Sequence, residues 1–201
     1  MEKVTFRKIK NEHLSDVIRI HRESLPEDIL PSLGDTFLKR YYDYVIELDY
    51  HSIYGIFEGD NVRGFCQVSR KGINLVKLLK KHPCLMLNIL KLLFYRPIIF
   101  LSGVLLVLQR SRLISTLPEV AFIAVDEKFQ GLGFGTQIID FVTNAEGRGS
   151  GFLTTVTSNP VARKIYENKY NAQVTGAFSI FKKKYWQLVW CSEGKEFLVK
   201  K

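Results

Sequence analysis

Three alternating glycines form the part of the sequence best suited to binding a ligand. Gly131, Gly133 and Gly135 follow the apolar run 120–125 and precede a stretch with helical spacing. Because glycine has no Cβ, the backbone N–H groups of such a turn can point into one concave surface. The start of the following helix adds unpaired N–H groups and the positive end of the helix dipole. Residues 130–136 are therefore predicted to bind a phosphate or diphosphate group.

The spacing of these glycines differs from two common nucleotide-binding motifs. A dinucleotide fingerprint beginning at Gly131 needs a glycine at position 136, which is Thr136. A P-loop needs four residues between its glycines and then Gly-Lys-Ser/Thr, and neither feature is present. The pattern Gln-Gly-x-Gly-x-Gly therefore favours another phosphate-bearing ligand. A glycine-rich turn without a ligand is the alternative.

A second segment with chemical potential begins at Asn159. The β-branched run 152–157 predicts a strand, and Asn159-Pro160 predicts that a helix begins at Pro160, since Asn caps helices well and Pro suits their first position. Ala162 and Tyr166 are four residues apart and fall on one face of that helix, with Asn159 near the same face. Taken singly, Asn159 could be only a cap and Tyr166 only a core aromatic.

Together the two segments resemble the motifs of the GNAT superfamily, the GCN5-related N-acetyltransferases. The resemblance implies acetyl-coenzyme A as cosubstrate, no metal, and acetyl transfer to a primary amine. In that family the glycine turn holds the pyrophosphate, the Asn contacts the cofactor and the Tyr hydroxyl lies near the sulfur. The implied cofactor-binding residues are Ile123, Ala124, Val125, Gln130, Gly131, Leu132, Gly133, Phe134, Gly135, Thr136, Asn159 and Tyr166.

The resemblance also implies the catalytic roles. Tyr166 would protonate the leaving thiolate, and a backbone N–H within 123–125, splayed by a strand bulge, would stabilise charge on the thioester oxygen. Glu119 is predicted as the general base, acting through water. It shares odd numbering with Ile123 and hence one face of a regular strand. An exposed Glu at the start of a strand is the alternative. Weaker acceptor-site candidates are His21, Glu23 and His51, whereas Asp126 and Glu127 are assigned to the turn.

One departure from the family pattern concerns the end of the helix that carries Tyr166. Tyr170 stands where the family usually has a glycine that ends this helix. Either Asn168 or Asn171 could adopt the left-handed conformation instead, because Asn tolerates it better than most residues.

The predicted order of strands and helices around these residues indicates an α/β (α+β) fold. Residues 4–68 read as strand, helix, helix, strand, strand, and 172–190 as two further strands. The expected architecture is the GNAT fold, a mixed, mostly antiparallel sheet flanked by helices, with a V-shaped split beside the strand that contains Glu119. One N-acetyltransferase domain spanning residues 1–201 is the simplest division.

Residues 71–117 form an apolar, helical insertion where the family often has a short loop. Its longest apolar run has only about a dozen residues, short of the roughly 20 that span a bilayer. A transmembrane segment is therefore not expected. Two interpretations stay open. The helices could pack on the domain, on a partner subunit or over the acceptor site, or they could form a basic amphipathic patch that contacts a membrane.

Composition limits the remaining classes of function. There are 29 Lys and Arg against 20 Asp and Glu, and the three cysteines have no metal-ligand spacing. No nucleic-acid-binding motif accompanies the basic charge, so no nucleic-acid partner is expected. The N-terminal segment has no apolar signal region, which predicts a cytoplasmic protein. Peripheral contact with the inner face of the membrane and a homodimer stay open.

The acceptor is the least determined part of the prediction. The stretch 25–42 and the insertion resemble a GNAT branch linked to bacterial surface polysaccharides, which favours an amino sugar, including a nucleotide-linked one. A small polyamine or a protein amine is the alternative acceptor. A different class of function is also open, namely a catalytically idle acyl-coenzyme A-binding module that acts through a partner or a membrane surface.

Overall fold

The protein is described by a computed structural model that covers residues 4–110 and 118–191. The strands are β1 Val4–Lys8, β2 His51–Glu58, β3 Asn61–Ser69, β4 Glu119–Val125, β5 Phe152–Thr157, β6 Gln173–Ile180 and β7 Lys183–Cys191. The helices are α1 Leu14–Ser24, α2 Ile29–Ser32, α3 Asp35–Ile46, α4 Leu75–Lys81, α5 Leu85–Tyr95, α6 Pro97–Arg110, α7 Phe134–Ser150 and α8 Pro160–Tyr170. The described strands form one sheet in the order β1-β2-β3-β4-β5-β7-β6.

The sheet is split between β4 and β5, as the sequence predicted. Neighbouring strands are antiparallel except for this pair, which is parallel and joined only at Glu119↔Thr154 and Val120↔Thr155. Beyond Val120 the two strands no longer pair. The open edge of β4 from Val120 to Val125 is about 16 Å long at ~3.3 Å per residue. A ligand can therefore lie between the diverging strands.

Two apolar cores cover the two faces of the sheet. On one face α1 and α3 pack on the central strands through residues such as Val17, Leu38 and Phe65. On the other face α7 and α8 pack through residues such as Ile138 and Tyr166. Successive side chains of a strand alternate between faces, so both cores draw on the same strands.

Local sequence features explain the helix boundaries around the candidate site. Asn159 caps α8 by accepting hydrogen bonds from the Val161 and Ala162 amides (2.8 and 3.3 Å), and the helix begins at Pro160 as predicted. It ends where Asn171 adopts a left-handed conformation, with φ of 50°. Asn171 thus does what a glycine would do at this position.

The insertion between β3 and β4 folds as helices α4, α5 and α6, and the last part of the expected segment, 111–117, lies outside the described residues. In the described ranges, no individual helix has both the length and the apolar character needed to cross a membrane. Helices α5 and α6 meet that criterion only as a pair, with a bend of 117° between them. Helix α6 packs beside α2 and β6, where it forms one wall of a cavity.

Candidate functional site

The glycine turn follows directly from the end of β4 and is anchored by Asp126. One oxygen of Asp126 accepts a hydrogen bond from the Lys128 amide (3.1 Å), and the other pairs with Arg19 of α1 (2.9 Å). Burial alone would raise the pKa of Asp126, but these contacts hold it below its usual value. Asp126 therefore fixes the entry to the turn, as the sequence predicted.

The backbone of the turn presents unpaired donors to an open surface. Gly131 and Gly133 have φ of +79° and +82°, a region that glycine occupies without strain. After the Gln130 amide, which donates to the Glu127 carbonyl (3.3 Å), the next amide to donate to a backbone carbonyl is that of Gln137, which bonds to Gly133 (3.0 Å). Among the described residues, the amides of 131–136 have no backbone acceptor. A Cβ on Gly131 would meet no atom within 4 Å, so the turn has room for an anion.

The side chains of the turn serve mainly to hold it in place. Phe134 is 2% exposed and stacks on Phe129, with ring centroids 5.8 Å apart. The side-chain amide of Gln130 donates to the Val125 carbonyl (3.1 Å), and Leu132 is exposed. Residues 130–136 would thus contact a diphosphate through their backbone N–H groups, helped by the dipole of α7.

A bulge in β4 decides which amides face the split. Val68 pairs with Val120 and Gln67 with Phe122, so Ala121 is the extra residue. The Asp126 amide donates to the Arg63 carbonyl of β3 (2.9 Å), and the register between 122 and 125 is regular.

The direction of the β4 amides follows from that register. Alternate N–H groups point to opposite sides of a strand in the sheet plane, so the amides of Phe122 and Ala124 face β3 with that of Asp126. The amides of Ile123 and Val125 face the split, where β5 no longer pairs. The single backbone donor expected within 123–125 can therefore come from Ile123 or Val125. The amide of Ala124 is turned toward β3.

Tyr166 is buried with an unsatisfied hydroxyl. The residue is 2% exposed, and its ring packs 5.0 Å from that of Trp190. Its hydroxyl has no hydrogen-bond partner among the described residues, and the neighbouring Thr155 hydroxyl donates to the Val120 carbonyl (2.9 Å). Burial raises the pKa of Tyr166, so the phenol keeps its proton at neutral pH. A buried O–H donor without an acceptor fits a ligand that supplies one.

The split leads into a cavity of about 670 Å³. Its walls come from the α1–α2 connection, α6, the bulged part of β4, the end of β5 with the start of α8, and β7. Ile123, Asn159 and Tyr166 all line it, so the structure brings these three predicted site residues together. Because the side-chain oxygen of Asn159 caps α8, its Nδ2 group is the part left to contact a ligand.

Glu119 does not share a face of β4 with Ile123, contrary to the expectation from their odd numbering. The bulge at Ala121 reverses the alternation, so Val120 and Ile123 lie on the α7 side. Glu119 instead lies on the side of Phe122, which packs with the α1 and α3 core. Its carboxylate is paired with the Arg110 guanidinium of α6.

Asp28 is a cavity residue that the sequence analysis missed. Its side chain is 24% exposed, lies at the wall of the cavity and accepts a hydrogen bond from the Leu30 amide (2.9 Å). Burial raises the pKa of Asp28, although the Leu30 amide and the charges of Arg110 and Lys183 partly oppose the shift. A carboxylate with a raised pKa is better matched to accept a proton at neutral pH. No sequence motif marks Asp28, and its place on the cavity wall follows only from the tertiary structure.

His21 lies next to Asp28 of the α1–α2 connection and does not line the cavity. It is 0% exposed, with Nδ1 2.6 Å from the Tyr42 hydroxyl and Nε2 3.9 Å from Asp28 Oδ1. Burial lowers the pKa of His21 to about 4, so the ring is neutral at pH 7. The other two weaker candidates also lie outside the cavity wall: His51 bonds to Ser69 and Glu23 pairs with Arg19.

Lys183, the first residue of β7, also lines the cavity. Its ammonium group pairs with Glu27 (2.6 Å), and both residues line the cavity. The cavity wall thus carries Glu27 and Asp28 against Lys183 and Arg110. Both signs of charge are available to an acceptor.

Comparison with solved structures identifies the fold as that of the GNAT N-acetyltransferases. A putative GNAT-family acetyltransferase from Desulfovibrio desulfuricans aligns with a TM-score of 0.61 at 14% identity, covering 94% of this chain and 99% of that one. The ribosomal-protein-S18-alanine N-acetyltransferase of Escherichia coli gives 0.62 at 10%, covering 97% and 100%. The NatC complex bound to Gag peptide and CoA gives 0.59 at 10%, covering 95% and 99%. No family model and no curated protein matches the sequence.

Proposed function

We propose that this protein transfers the acetyl group of acetyl-coenzyme A to the primary amine of a small acceptor. One observation carries the proposal: a single opened strand edge joins a diphosphate-binding turn to a cavity containing an unpaired tyrosine hydroxyl. The turn at 130–136 suits the diphosphate of the cofactor. The free edge of β4 offers donors and acceptors to an extended thiol-bearing arm, as a paired strand would.

The residues around the cavity match the tasks of aminolysis of a thioester. The Ile123 amide faces the split and can donate to an oxygen that gains negative charge. The Tyr166 hydroxyl can donate a proton to the departing sulfur. Both donors lie on the cavity wall. The acceptor amine must lose a proton, since alkyl amines have a pKa near 10.4 and are charged at neutral pH.

Two carboxylates are candidates for removing that proton. Asp28 lines the cavity, and burial raises its pKa. Glu119 lies at the start of β4, and its carboxylate is engaged in an ion pair with Arg110. Asp28 is the better placed of the two, and Glu119 would act only through water or after Arg110 has moved away.

The shape and charge of the cavity favour a small acceptor over a polypeptide. Helix α6 forms one side of the cavity, with Ser102 and Leu106 on its wall. A polypeptide would need an open groove on that side. The cations Lys183 and Arg110, each paired with a carboxylate of the chain, could instead pair with an anionic group of the acceptor. We therefore favour an amino sugar, including a nucleotide-linked one, over a small polyamine or a protein amine.

Two measurements on the intact chain test this function. Calorimetric titration with coenzyme A should show binding, and thiol release from acetyl-coenzyme A should rise with at least one amine in a panel of amino sugars, nucleotide sugars, polyamines and peptides. Absence of coenzyme A binding by folded protein would refute the cofactor assignment. Binding without turnover for any amine would instead identify an acyl-coenzyme A-binding module.

A further inference from the structure

Helices α5 and α6 carry an apolar surface that faces away from the sheet. Of the eighteen large apolar side chains that are exposed in the described residues, thirteen fall between Leu75 and Leu108. Phe94, Tyr95 and Ile98 at the bend between the helices are 78%, 83% and 69% exposed. We use the name α5–α6 surface for Met86, Leu87, Leu90, Leu93, Phe94, Tyr95, Ile98, Leu101, Val104 and Val107. Contiguous exposed apolar patches rimmed by polar residues mark sites of interaction.

Helix α6 has two faces with different surroundings. Ile99, Ser102, Gly103, Leu106 and Arg110 follow helical spacing and line the cavity. Ile98, Leu101 and Val104 lie on the side turned to the outside. The exposed face of α6 therefore lies opposite the face that packs on the domain. It is not part of the core of the domain.

The charged side chains of the insertion itself are all basic. Residues 71–110 include seven Lys and Arg and no Asp or Glu. Lys81 and Arg110 are paired with Glu47 and Glu119 of the domain. Lys91 and Arg96 are exposed beside Phe94 and Tyr95, where their long side chains can reach past an apolar layer toward phosphates.

We propose that the α5–α6 surface docks the protein on an anionic phospholipid bilayer. The bent helices would lie in the interfacial plane. At ~1.5 Å per residue they are only about 16 and 21 Å long, and a bilayer core is about 30 Å thick. Apolar side chains that enter the headgroup boundary, ringed by Lys and Arg, form the arrangement that binds such membranes. The predicted cytoplasmic location would make this the inner, anionic leaflet.

The same charges disfavour the main alternative occupant, a second copy of this chain. A two-fold dimer through the α5–α6 surface brings the same patch of both subunits together. Lys91 and Arg96 of one subunit would then face the equally basic surface of the other, with no carboxylate in residues 71–110 to compensate them. Docking on lipid removes that repulsion, because the phosphates supply the opposite charge. It would also leave the cavity about one helix diameter (~10 Å) from the headgroups.

Vesicle sedimentation tests the proposal with a closely matched control. Ile98 and Val161 are each the second residue of a helix that begins with proline, and their exposures are 69% and 65%. An acidic residue suits the first turn of both helices. The intact protein should sediment with vesicles of phosphatidylcholine and phosphatidylglycerol. The double substitution Phe94→Asp with Ile98→Asp should weaken that binding about tenfold or more, whereas Val161→Asp should leave it unchanged.

The outcomes separate lipid docking from its alternatives. Failure of the wild-type protein to bind anionic vesicles would overturn the proposal, as would equal binding by the double variant. Sedimentation equilibrium without lipid is run in parallel. A dimer that the double substitution dissociates, with no vesicle binding, would assign the surface to self-association. Circular dichroism of the double variant checks that it is folded, so this test does not depend on the proposed enzymatic function.

Discussion

Removal of the Tyr166 hydroxyl should stabilise the protein while it impairs catalysis. The substitution Tyr166→Phe deletes a buried O–H that has no partner among the described residues and keeps the ring against Trp190. Leaving such a group buried costs about 1–3 kcal/mol. Because the hydroxyl lines a cavity, we take the lower end, a gain of about 1 kcal/mol in the free energy of unfolding. For a chain of this size that raises the melting temperature by about 2–4 °C.

Tyr170→Phe provides a control with the opposite expected sign. Tyr170 lies one turn further along α8, and its hydroxyl donates to Asp140 (2.8 Å). Its loss removes a satisfied hydrogen bond to a carboxylate and should lower the free energy of unfolding by about 1.5–3 kcal/mol. Comparison of the two variants therefore separates the effect of losing a hydrogen bond from the general effect of changing Tyr to Phe.

The same Tyr166 variant reports on catalysis. Loss of a general acid lowers turnover by about 10²–10⁴-fold. Thermal unfolding followed by circular dichroism and thiol release from acetyl-coenzyme A measure the two effects. If Tyr166→Phe lowers the melting temperature as Tyr170→Phe does, the Tyr166 hydroxyl has a hydrogen-bond partner in the folded protein. If turnover is unchanged, Tyr166 does not protonate the leaving group.

Three further predictions concern the turn, the base and a buried histidine. Gly131→Ala forces a left-handed alanine that costs about 1–2 kcal/mol. Calorimetry should therefore show weaker coenzyme A binding by this variant. Gly72→Ala, at a glycine whose added Cβ would meet no atom within 4 Å, should leave coenzyme A binding unchanged. Asp28→Asn should lower kcat about 10²–10⁴-fold and remove the acid limb of the pH–rate profile, and Glu119→Gln should have the smaller effect. His21 has a folded pKa of about 4, below its unfolded value of 6.5, so stability is lost as the pH falls through that window. Denaturant unfolding should show that the free energy of unfolding falls by about 2 kcal/mol between pH 7 and 5, and His21→Leu should abolish this loss.

Each of these has a contradicting result. Unchanged affinity in Gly131→Ala would mean that the turn does not bind the diphosphate. A larger loss of turnover in Glu119→Gln than in Asp28→Asn would return the role of base to the residue favoured by the sequence. An equal pH dependence in His21→Leu and the wild type would mean that folding does not lower the pKa of His21.

The sequence predicted those parts of the site that depend on short segments of backbone. The glycine turn and the cap at Asn159 follow from conformational preferences of a few adjacent residues, and the same preferences limited the left-handed residue at the end of α8 to Asn168 or Asn171. The order of strands and helices also follows from apolar spacing, which is a local property. The structure confirms these predictions because no distant contact overrides them.

Only the tertiary structure decided which side chains meet in the cavity. The bulge at Ala121 arises from pairing between β3 and β4, and it moves Glu119 to the face opposite Ile123. Asp28 and Lys183 are 155 residues apart in the sequence, and their convergence depends on the packing of the α1–α2 connection on the last hairpin. Spacing within one strand or helix cannot encode contacts between such distant segments, since these form only when the sheet and its two cores assemble.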